Sequence, residues 1–344
     1  MIAPKQNVSL KDYSTMRLGG KARYQADINT SAELIEAVNW AKEHKLATIM
    51  IGIGSNIVWG DKGYDGLVMV NKIRGYHMTP IDNETAHLTV GGGENWDDVV
   101  RRSVQLGYSG IAELSLIPGT AGATPVQNVG AYGREISDSL IRLEAFDNQT
   151  GNIVTIDGKD CGFGYRTSRF KTTDHGRFFI ISITLQLERK KVKPPFYASL
   201  QEYFEKNNIS HFTVQVIRDS VIAIRSSKLP DPAVVANNGS FFKNPIIENK
   251  TALLLEKKFP DIVAWPSGDA NTKLSAAWLV EQAGFKGKHD SKTGMATWPK
   301  QALTLVNEHA KSTADLLRFK QKIIEVVKAK FGVTLEQEPE FIEL

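Results

Sequence analysis

Residues 115–133 read SLIPGTAGATPVQNVGAYG, and no other stretch restricts the fold so tightly. Four glycines and two prolines stand there without a charged side chain. Gly and Pro break helices and interrupt strand ladders, so no long regular element fits the segment. It is also too apolar for a solvated linker. It reads as main chain packed closely against something: the rest of the protein in a tightly wound turn, or a flat or phosphorylated ligand. Gly119, Gly122 and Gly130 remove side chains so that backbone N–H groups can face such a ligand. Gln127 and Asn128 are suited to hydrogen-bond the edge of a heteroaromatic ring.

The rest of the chain bounds what that ligand can be. With 344 residues it can form two or three domains, and 42% hydrophobic with 23% charged residues is ordinary for a soluble globular protein. A net charge of +4 makes no case for nucleic acid, though it suits a diphosphate or carboxylate substrate. The lone cysteine, Cys161, permits no internal disulfide and fits a reducing cytoplasm. The opening MIAPKQNVSL has no signal pattern, and no apolar run approaches a membrane span. HExxH and Walker patterns are missing and the histidines are scattered, so no metal is expected.

Periodicity predicts an α+β chain. TSAELIEAVNWAKEHK (30–45) reads as a helix capped by Thr30 or Ser31, with Leu34, Ala37, Val38 and Ala41 on its apolar stripe. A strand then enters GIGSN, where Gly52, Gly54, Ser55 and Asn56 form a turn able to offer N–H groups and a hydroxyl to a phosphate. Strands are expected at 66–70, 86–91, 141–146, 153–156, 178–187 and 302–307. Helices are expected at 94–106, 196–206 and about 313–330. ERKKVKPP (188–195) and SSKLPDPAVVANNG (226–239) read as exposed connections.

Three further places can carry chemistry. In NNGSFFKNP (237–245), Ser240 follows a glycine and precedes two phenylalanines. A serine hydroxyl can protonate a carbanion if nearby donors stabilise the alkoxide left behind. The pattern is not GxSxG, so a hydrolase nucleophile is rejected. Arg166, in GYRTSRF, can clamp a carboxylate with its two-pronged guanidinium. Glu336, Glu338 and Glu340 alternate in the tail and would share one face of a strand. Each of these is, taken singly, more often an ordinary turn or surface residue.

Taken together, GIGSN (52–56), residues 115–133, FGYRTSRFK (163–171), SSKLPDP (226–232), GSFFKNP (239–245), KQALTLVN (300–307) and LEQEPEFI (335–342) resemble the UDP-N-acetylenolpyruvoylglucosamine reductase family. They occur in that family's order over nearly the whole chain. The resemblance implies an FAD-binding fold of the vanillyl-alcohol oxidase type, made of two α+β subdomains, plus a third α+β substrate domain. It divides the chain into 1–70 with 333–344, 71–220, and 221–332. It implies cytoplasmic peptidoglycan precursor synthesis, supporting cell wall, shape and division. The enolpyruvyl ether of UDP-N-acetylglucosamine is reduced to UDP-N-acetylmuramate. NADPH reduces the flavin, whose N5 passes hydride to C3 of the enolpyruvyl group while an acid protonates C2.

The same resemblance implies roles for single residues. Ser240 would be the proton donor, with Arg166 and Glu338 at the enolpyruvyl carboxylate. Alignment on Leu335 and on Phe341-Ile342 picks Glu338, with Glu340 as the alternative. Ile117, Pro118, Gly119, Gly122, Ala123, Gln127, Asn128, Gly130, Ala131 and Tyr132 would cradle the isoalloxazine. The GxGSN turn would hold the pyrophosphate. Tyr197, in FYASL, would close as the lid tyrosine of the family's loop-containing type, and Lys228, Asn244, Lys286 and Gln301 would contact substrate. FAD is expected to be bound without a covalent link, since no histidine before the cradle sits in an attachment motif. A monomer that inserts in no membrane and binds no nucleic acid is expected. Two other readings remain open: an FAD-linked oxidase of the same superfamily, and a nucleotide-sugar-binding protein without catalysis.

Overall fold

The computed structural model describes residues 2–344. Helices and strands mix throughout, and the chain divides into two compact units. The first comprises the chain up to Val8, Ala22–Ile53 and Asp65–Ser226; the second comprises Ser9–Lys21, Gly54–Tyr64 and Ser227–Leu344.

The first unit holds two sheets. One orders its strands Lys5–Ser9, Lys21–Ile28, Tyr64–Asn71 and Ala47–Ile51, the last two running parallel. Helix α1 (Ser31–Glu43) packs Leu34, Ala37, Val38 and Ala41 into that sheet's core, beside Ile28, Leu67 and Met69. Thr30 caps it by accepting from the Glu33 N–H at 3.1 Å, so the expected start holds. The other sheet orders Asn152–Asp157, Leu140–Asp147, Phe178–Glu188, Thr85–Gly91 and Tyr76–Pro80, all antiparallel. Helix α2 (Trp96–Gln105) buries Trp96, Val99, Val100 and Val104 on it, capped by Asn95. It starts two residues later than expected, because the GGGEN loop ahead of it is tied into the 115–133 segment.

Two helices complete this unit: α3 (Ala198–Lys206) and α4 (Val214–Lys228). Helix α4 is not legible in the sequence reading, since VQVIRDSVIAIRSSK is rich in β-branched residues that favour strands. Burial of Ile217, Val221 and Ile224 in the larger core overrides that preference. The expected loop beginning at Ser226 therefore starts later. Ser226 and Lys228 are helical, and the helix stops before Leu229-Pro230, where the proline disfavours helical geometry in the residue before it.

In the second unit, α6 (Ala276–Gln282) and α7 (Thr313–Phe331) lie against a four-stranded sheet ordered Asn237–Ser240, Gln301–Asn307, Met295–Trp298 and His289–Asp290, and α5 (Asn249–Lys258) lies against a three-stranded sheet ordered Ile246–Glu248, Asn271–Leu274 and Ala264–Ser267. Helix α7 opens on a capping box between Ser312 and Asp315 and ends at left-handed Gly332. Its Leu316, Phe319, Ile323, Val327 and Phe331 are all buried. Met16, Leu18 and Val58 share their core, which is why two short N-terminal segments belong to this unit. Strand Glu340–Ile342 pairs in parallel with Ile57–Trp59.

Candidate active site

Within the first unit, residues 115–133 are threaded through hydrogen bonds from end to end. Ser115 Oγ donates to the Ala112 carbonyl at 2.6 Å, and Leu116 turns into a left-handed backbone with its N–H on Asp97 Oδ1 at 2.6 Å. Asp97 lies in the first turn of α2 and is gripped by Arg218 of α4, whose Nη1 and Nη2 donate to its two oxygens at 2.7 and 2.8 Å. Arg218 Nη1 also reaches Ser115 Oγ at 2.9 Å. Burial pushes the Asp97 carboxyl up, but the Arg218 and Leu116 hydrogen bonds outweigh it and hold it below the usual carboxylate range.

The segment then zips onto the GGGEN loop. Trp96 N–H donates to Gly119 O, Ala121 N–H to Glu94 O and Gly122 N–H to Gly92 O, at 3.1, 2.9 and 2.8 Å. A Cβ on Gly122 would lie 2.9 Å from the Gly92 Cα, so only glycine allows this approach. A Cβ on Gly52 would likewise run into Thr120.

The second half is built around Asn128, which is 1% exposed. Its Nδ2 donates to Glu135 Oε2 at 2.6 Å and to Gly164 O at 3.2 Å, and its Oδ1 accepts from Ser137 N–H at 3.2 Å. The Asn128 amide is thus engaged inside the protein and shapes the cradle. Gly130–Ala131 then pairs with Arg134–Glu135 across a tight turn at Tyr132-Gly133, both of positive φ, the pattern of a two-residue hairpin.

Arg166 reaches this hairpin from its own loop, with Nη2 on the Gly130 carbonyl at 2.7 Å. Ser168 Oγ pins that loop to the Val126 carbonyl at 2.6 Å. Tyr197, 48% exposed at the start of α3, sets its ring edge-on to Tyr132 with 6.0 Å between centroids. Burial pushes the Tyr132 hydroxyl up, opposed by the charge of Arg225 on α4. Of eight non-glycine residues with a left-handed backbone among the described residues, four are Leu116, Asn128, Tyr132 and Arg166. A left-handed backbone is uncommon for residues that carry a side chain, and it is strained most at bulky ones such as Leu116, Tyr132 and Arg166.

The second unit brings a different set of motifs together. Asn238, 7% exposed, gathers the GSN turn: its Nδ2 donates to Ser55 O at 3.0 Å, Ile57 O at 3.3 Å and Thr15 Oγ1 at 3.1 Å. The next residue, Gly239, has φ 70° and turns the chain to present Ser240 opposite Thr304 in the sheet. Phe241 and Phe242 are buried behind it. The tail runs alongside: Lys243 N–H donates to Glu336 O and Glu338 N–H to Phe241 O, each at 2.9 Å. Glu340 is anchored elsewhere, its N–H on the Asn56 carbonyl at 2.9 Å. The expected alternation of three carboxylates on one strand face does not occur, because the tail is strand only over Glu340–Ile342.

The outlying candidates are placed as follows. Asn244 Oδ1 accepts from Ala276 N–H at 2.9 Å, at the start of α6. Lys228 is the last residue of α4. Lys286 is ion-paired with Glu281 at 2.8 Å, and Gln301 Oε1 accepts from Leu303 N–H at 3.3 Å. Sequence reasoning missed Asp97, Arg218, Arg225, Glu135 and Asn238. The first three depend on α4 being a helix. Asn238 had a visible signal, lying directly before the Gly-Ser pair.

A model of an FAD binding domain matches residues 25–157, which include most of the first cluster. A model of the UDP-N-acetylenolpyruvoylglucosamine reductase C-terminal domain matches residues 231–342, which include Ser240 and the tail. The UDP-N-acetylenolpyruvoylglucosamine reductase of Ralstonia nicotianae is 39% identical over 330 residues, 95% of this chain and 96% of its own. That of Amoebophilus asiaticus is 38% identical over 339 residues, 98% and 99% of the two chains. The solved reductase of Thermus caldophilus shares the fold at a TM-score of 0.69 and 21% identity, covering 100% of both chains. The two domain models and the near-full-length relatives establish that this chain belongs to the UDP-N-acetylenolpyruvoylglucosamine reductase family, FAD-dependent oxidoreductases.

Proposed function

We propose that this chain reduces the enolpyruvyl ether of UDP-N-acetylglucosamine to UDP-N-acetylmuramate with NADPH, Ser240 serving as the acid that protonates C2. The observation that carries the assignment is the convergence of the GSN turn, Ser240 and the Glu338 tail through backbone and Asn238 hydrogen bonds in the second unit. The residues of the 115–133 cradle fit a flat cofactor. Its glycines leave no room for a Cβ against Gly92, and the enclosed Arg225 Nε has no hydrogen-bond partner. Ile117, Pro118, Gly119, Gly122, Ala123, Gln127, Gly130, Ala131 and Tyr132 would hold the ring of FAD, with Asn128 shaping the cradle from behind rather than bonding the ring with its amide, and Gly52 with Gly54–Asn56 would hold its pyrophosphate. Bound FAD supplies hydride transfer from NADPH to C3 of the substrate alkene.

The chain's own residues do the rest. Negative charge builds at C2 and on the adjoining carboxylate as C3 receives hydride. Arg166, held in position by the Gly130 carbonyl, offers its guanidinium fork to that carboxylate. Ser240 Oγ gives its proton to C2, and the alkoxide left behind is reprotonated from water once the Tyr197 lid opens. Glu338 rather than Glu340 is the tail carboxylate in this reading, because its backbone is tied to Phe241, next to Ser240. Tyr197 closes over the nucleotide and excludes water, while Lys228, Asn244, Lys286 and Gln301 contact substrate. The three-part division of the chain is retained as a functional one: two FAD-binding parts, 1–70 with 333–344 and 71–220, the second bearing Tyr197, and a substrate part, 221–332. A cytoplasmic monomer goes with the reading, the location supported by a lone cysteine that permits no internal disulfide. Among the described residues, no helix is long and apolar enough to cross a membrane.

Stopped-flow spectroscopy separates the two half-reactions. Ser240→Ala is expected to leave flavin reduction by NADPH intact and to slow reoxidation by the enolpyruvyl substrate about 10²–10⁴-fold, the usual worth of a general acid. Equal slowing of both halves refutes the assignment.

A further inference from the structure

We infer that the Thr304 hydroxyl is the donor that steadies Ser240 Oγ as it gives up its proton, which makes Thr304 a positioning residue for the acid. The inference rests on the reading of Ser240 as that acid and goes one residue beyond it.

Ser240 and Thr304 stand opposite each other on neighbouring antiparallel strands, Asn237–Ser240 and Gln301–Asn307. The Phe241 N–H donates to the Leu303 carbonyl at 2.8 Å, one residue beyond the pair on each strand. Ser240 and Thr304 are therefore a non-hydrogen-bonded pair, the kind whose Cα atoms approach to about 4.5 Å and whose side chains leave the same face of the sheet. Leu303 and Leu305, on either side of Thr304, turn to the other face and join the core with Leu316 and Phe319.

Thr304 is 0% exposed, and its Oγ1 has no hydrogen-bond partner among the described residues. Other buried threonines behave differently: Thr124 and Thr313 donate to the Ala121 and Trp59 carbonyls at 2.7 and 2.6 Å. A valine would fill the place of Thr304 with nearly the same shape and strand no polar atom. The hydroxyl is accounted for if it gains its partner during the reaction. Ser240 Oγ–H breaks, the proton forms the new C–H bond at C2, and the electron pair of the O–H bond stays on Oγ. An alkoxide made away from water needs a donor already aimed at it. A shift of Ser240 between staggered positions puts a lone pair on the Thr304 hydrogen and leaves its own hydrogen free for C2. Thr304 keeps its proton throughout. Its hydrogen bond strengthens as charge builds on Oγ, so it favours the transition state over the bound substrate.

The test is stopped-flow kinetics of the flavin-loaded parent, Thr304→Val and Thr304→Ser. Thr304→Val is expected to accept hydride from NADPH as the parent does and to be reoxidised by the enolpyruvyl substrate about 10–100-fold more slowly, the worth of one hydrogen bond to a charged oxygen. Thr304→Ser, which restores the hydroxyl, is expected to recover most of that rate. In a Ser240→Ala background Thr304→Val should add no further slowing, because the group it acts through is gone. The melting temperature of flavin-free Thr304→Val should equal or exceed the parent's, because no internal bond is lost. Reoxidation unmoved by Thr304→Val overturns the inference, as does a Thr304→Ser as slow as Thr304→Val, or equal slowing with and without Ser240. Slowing of both half-reactions together with a lower melting temperature also overturns it and leaves Thr304 a structural residue. Ser240→Ala by itself checks the reading beneath. If it is reoxidised as fast as the parent, Ser240 is not the acid and both ideas fall; if it is slow beside an unmoved Thr304→Val, only the inference about Thr304 falls.

Discussion

Asp97→Ala removes the carboxylate that is paired with Arg218. Arg218 is 5% exposed, and both of its terminal nitrogens donate to Asp97, at 2.7 and 2.8 Å. Taking away the acceptor leaves a buried cation with Ser115 Oγ alone, and breaking a buried pair from one side costs about 3–5 kcal/mol. The Leu116 N–H also loses its acceptor, but Leu116 is 37% exposed and water can replace it, so the lower part of that range applies. A loss of about 3–4 kcal/mol is expected from urea unfolding at pH 7, together with weaker FAD binding because the cradle entrance is released. Arg218→Met combined with Asp97→Leu should recover most of the stability, since no charge is then stranded. The deficit of Asp97→Ala should also shrink in acid. The Asp97 carboxyl is held below its ordinary value, so the pair contributes fully above about pH 5 and is lost as pH falls below about 4 and through the folded-state value. A loss below about 1 kcal/mol, or a double variant no more stable than Asp97→Ala, refutes the reasoning.

A second acid-sensitive pair lies away from the cradle. Asp147 is held at about 2 chiefly by the Arg177 hydrogen bonds, at 3.0 and 2.8 Å. Its stabilisation is present above the unfolded value near about 4 and lost on descent toward pH 2, so Asp147→Asn should flatten the stability curve across that window. A variant as acid-sensitive as the parent speaks against it. Cys161 is fully buried and its thiol is pushed up to about 12 by burial, so an aromatic disulfide reagent at pH 8 should label it only in urea. Prompt labelling of the native protein contradicts the burial. Arg166→Lys should keep FAD bound yet lower kcat/KM at least about tenfold, because a single ammonium cannot reproduce the fork that holds Gly130 and a carboxylate together. Kinetics equal to the parent's would remove Arg166 from its role.

The helices with strong caps and clean stripes were legible in advance. Thr30 and the buried stripe of α1, and Ser312 with that of α7, are local signals that tertiary contacts had only to accept. Helix α4 was illegible for the opposite reason. Its β-branched residues argue locally for a strand, and only the core around Ile217 and Val221 decides otherwise. The candidate site divides the same way. Motifs named Ser240, Arg166 and the cradle glycines, whereas Asp97, Arg218 and Asn238 act through partners far away in the chain.

The order of glycines and prolines along the chain was enough to mark where backbone must approach backbone closely, as Gly122 does Gly92, because those residues act through their own local geometry. Pairing of Arg218 with Asp97, the gathering of the GSN turn by Asn238, and the isolation of Arg225 on the same helix face as Arg218 arose only on folding. Each depends on a long-range meeting of groups whose charge or hydrogen-bonding need is written in one place and answered in another.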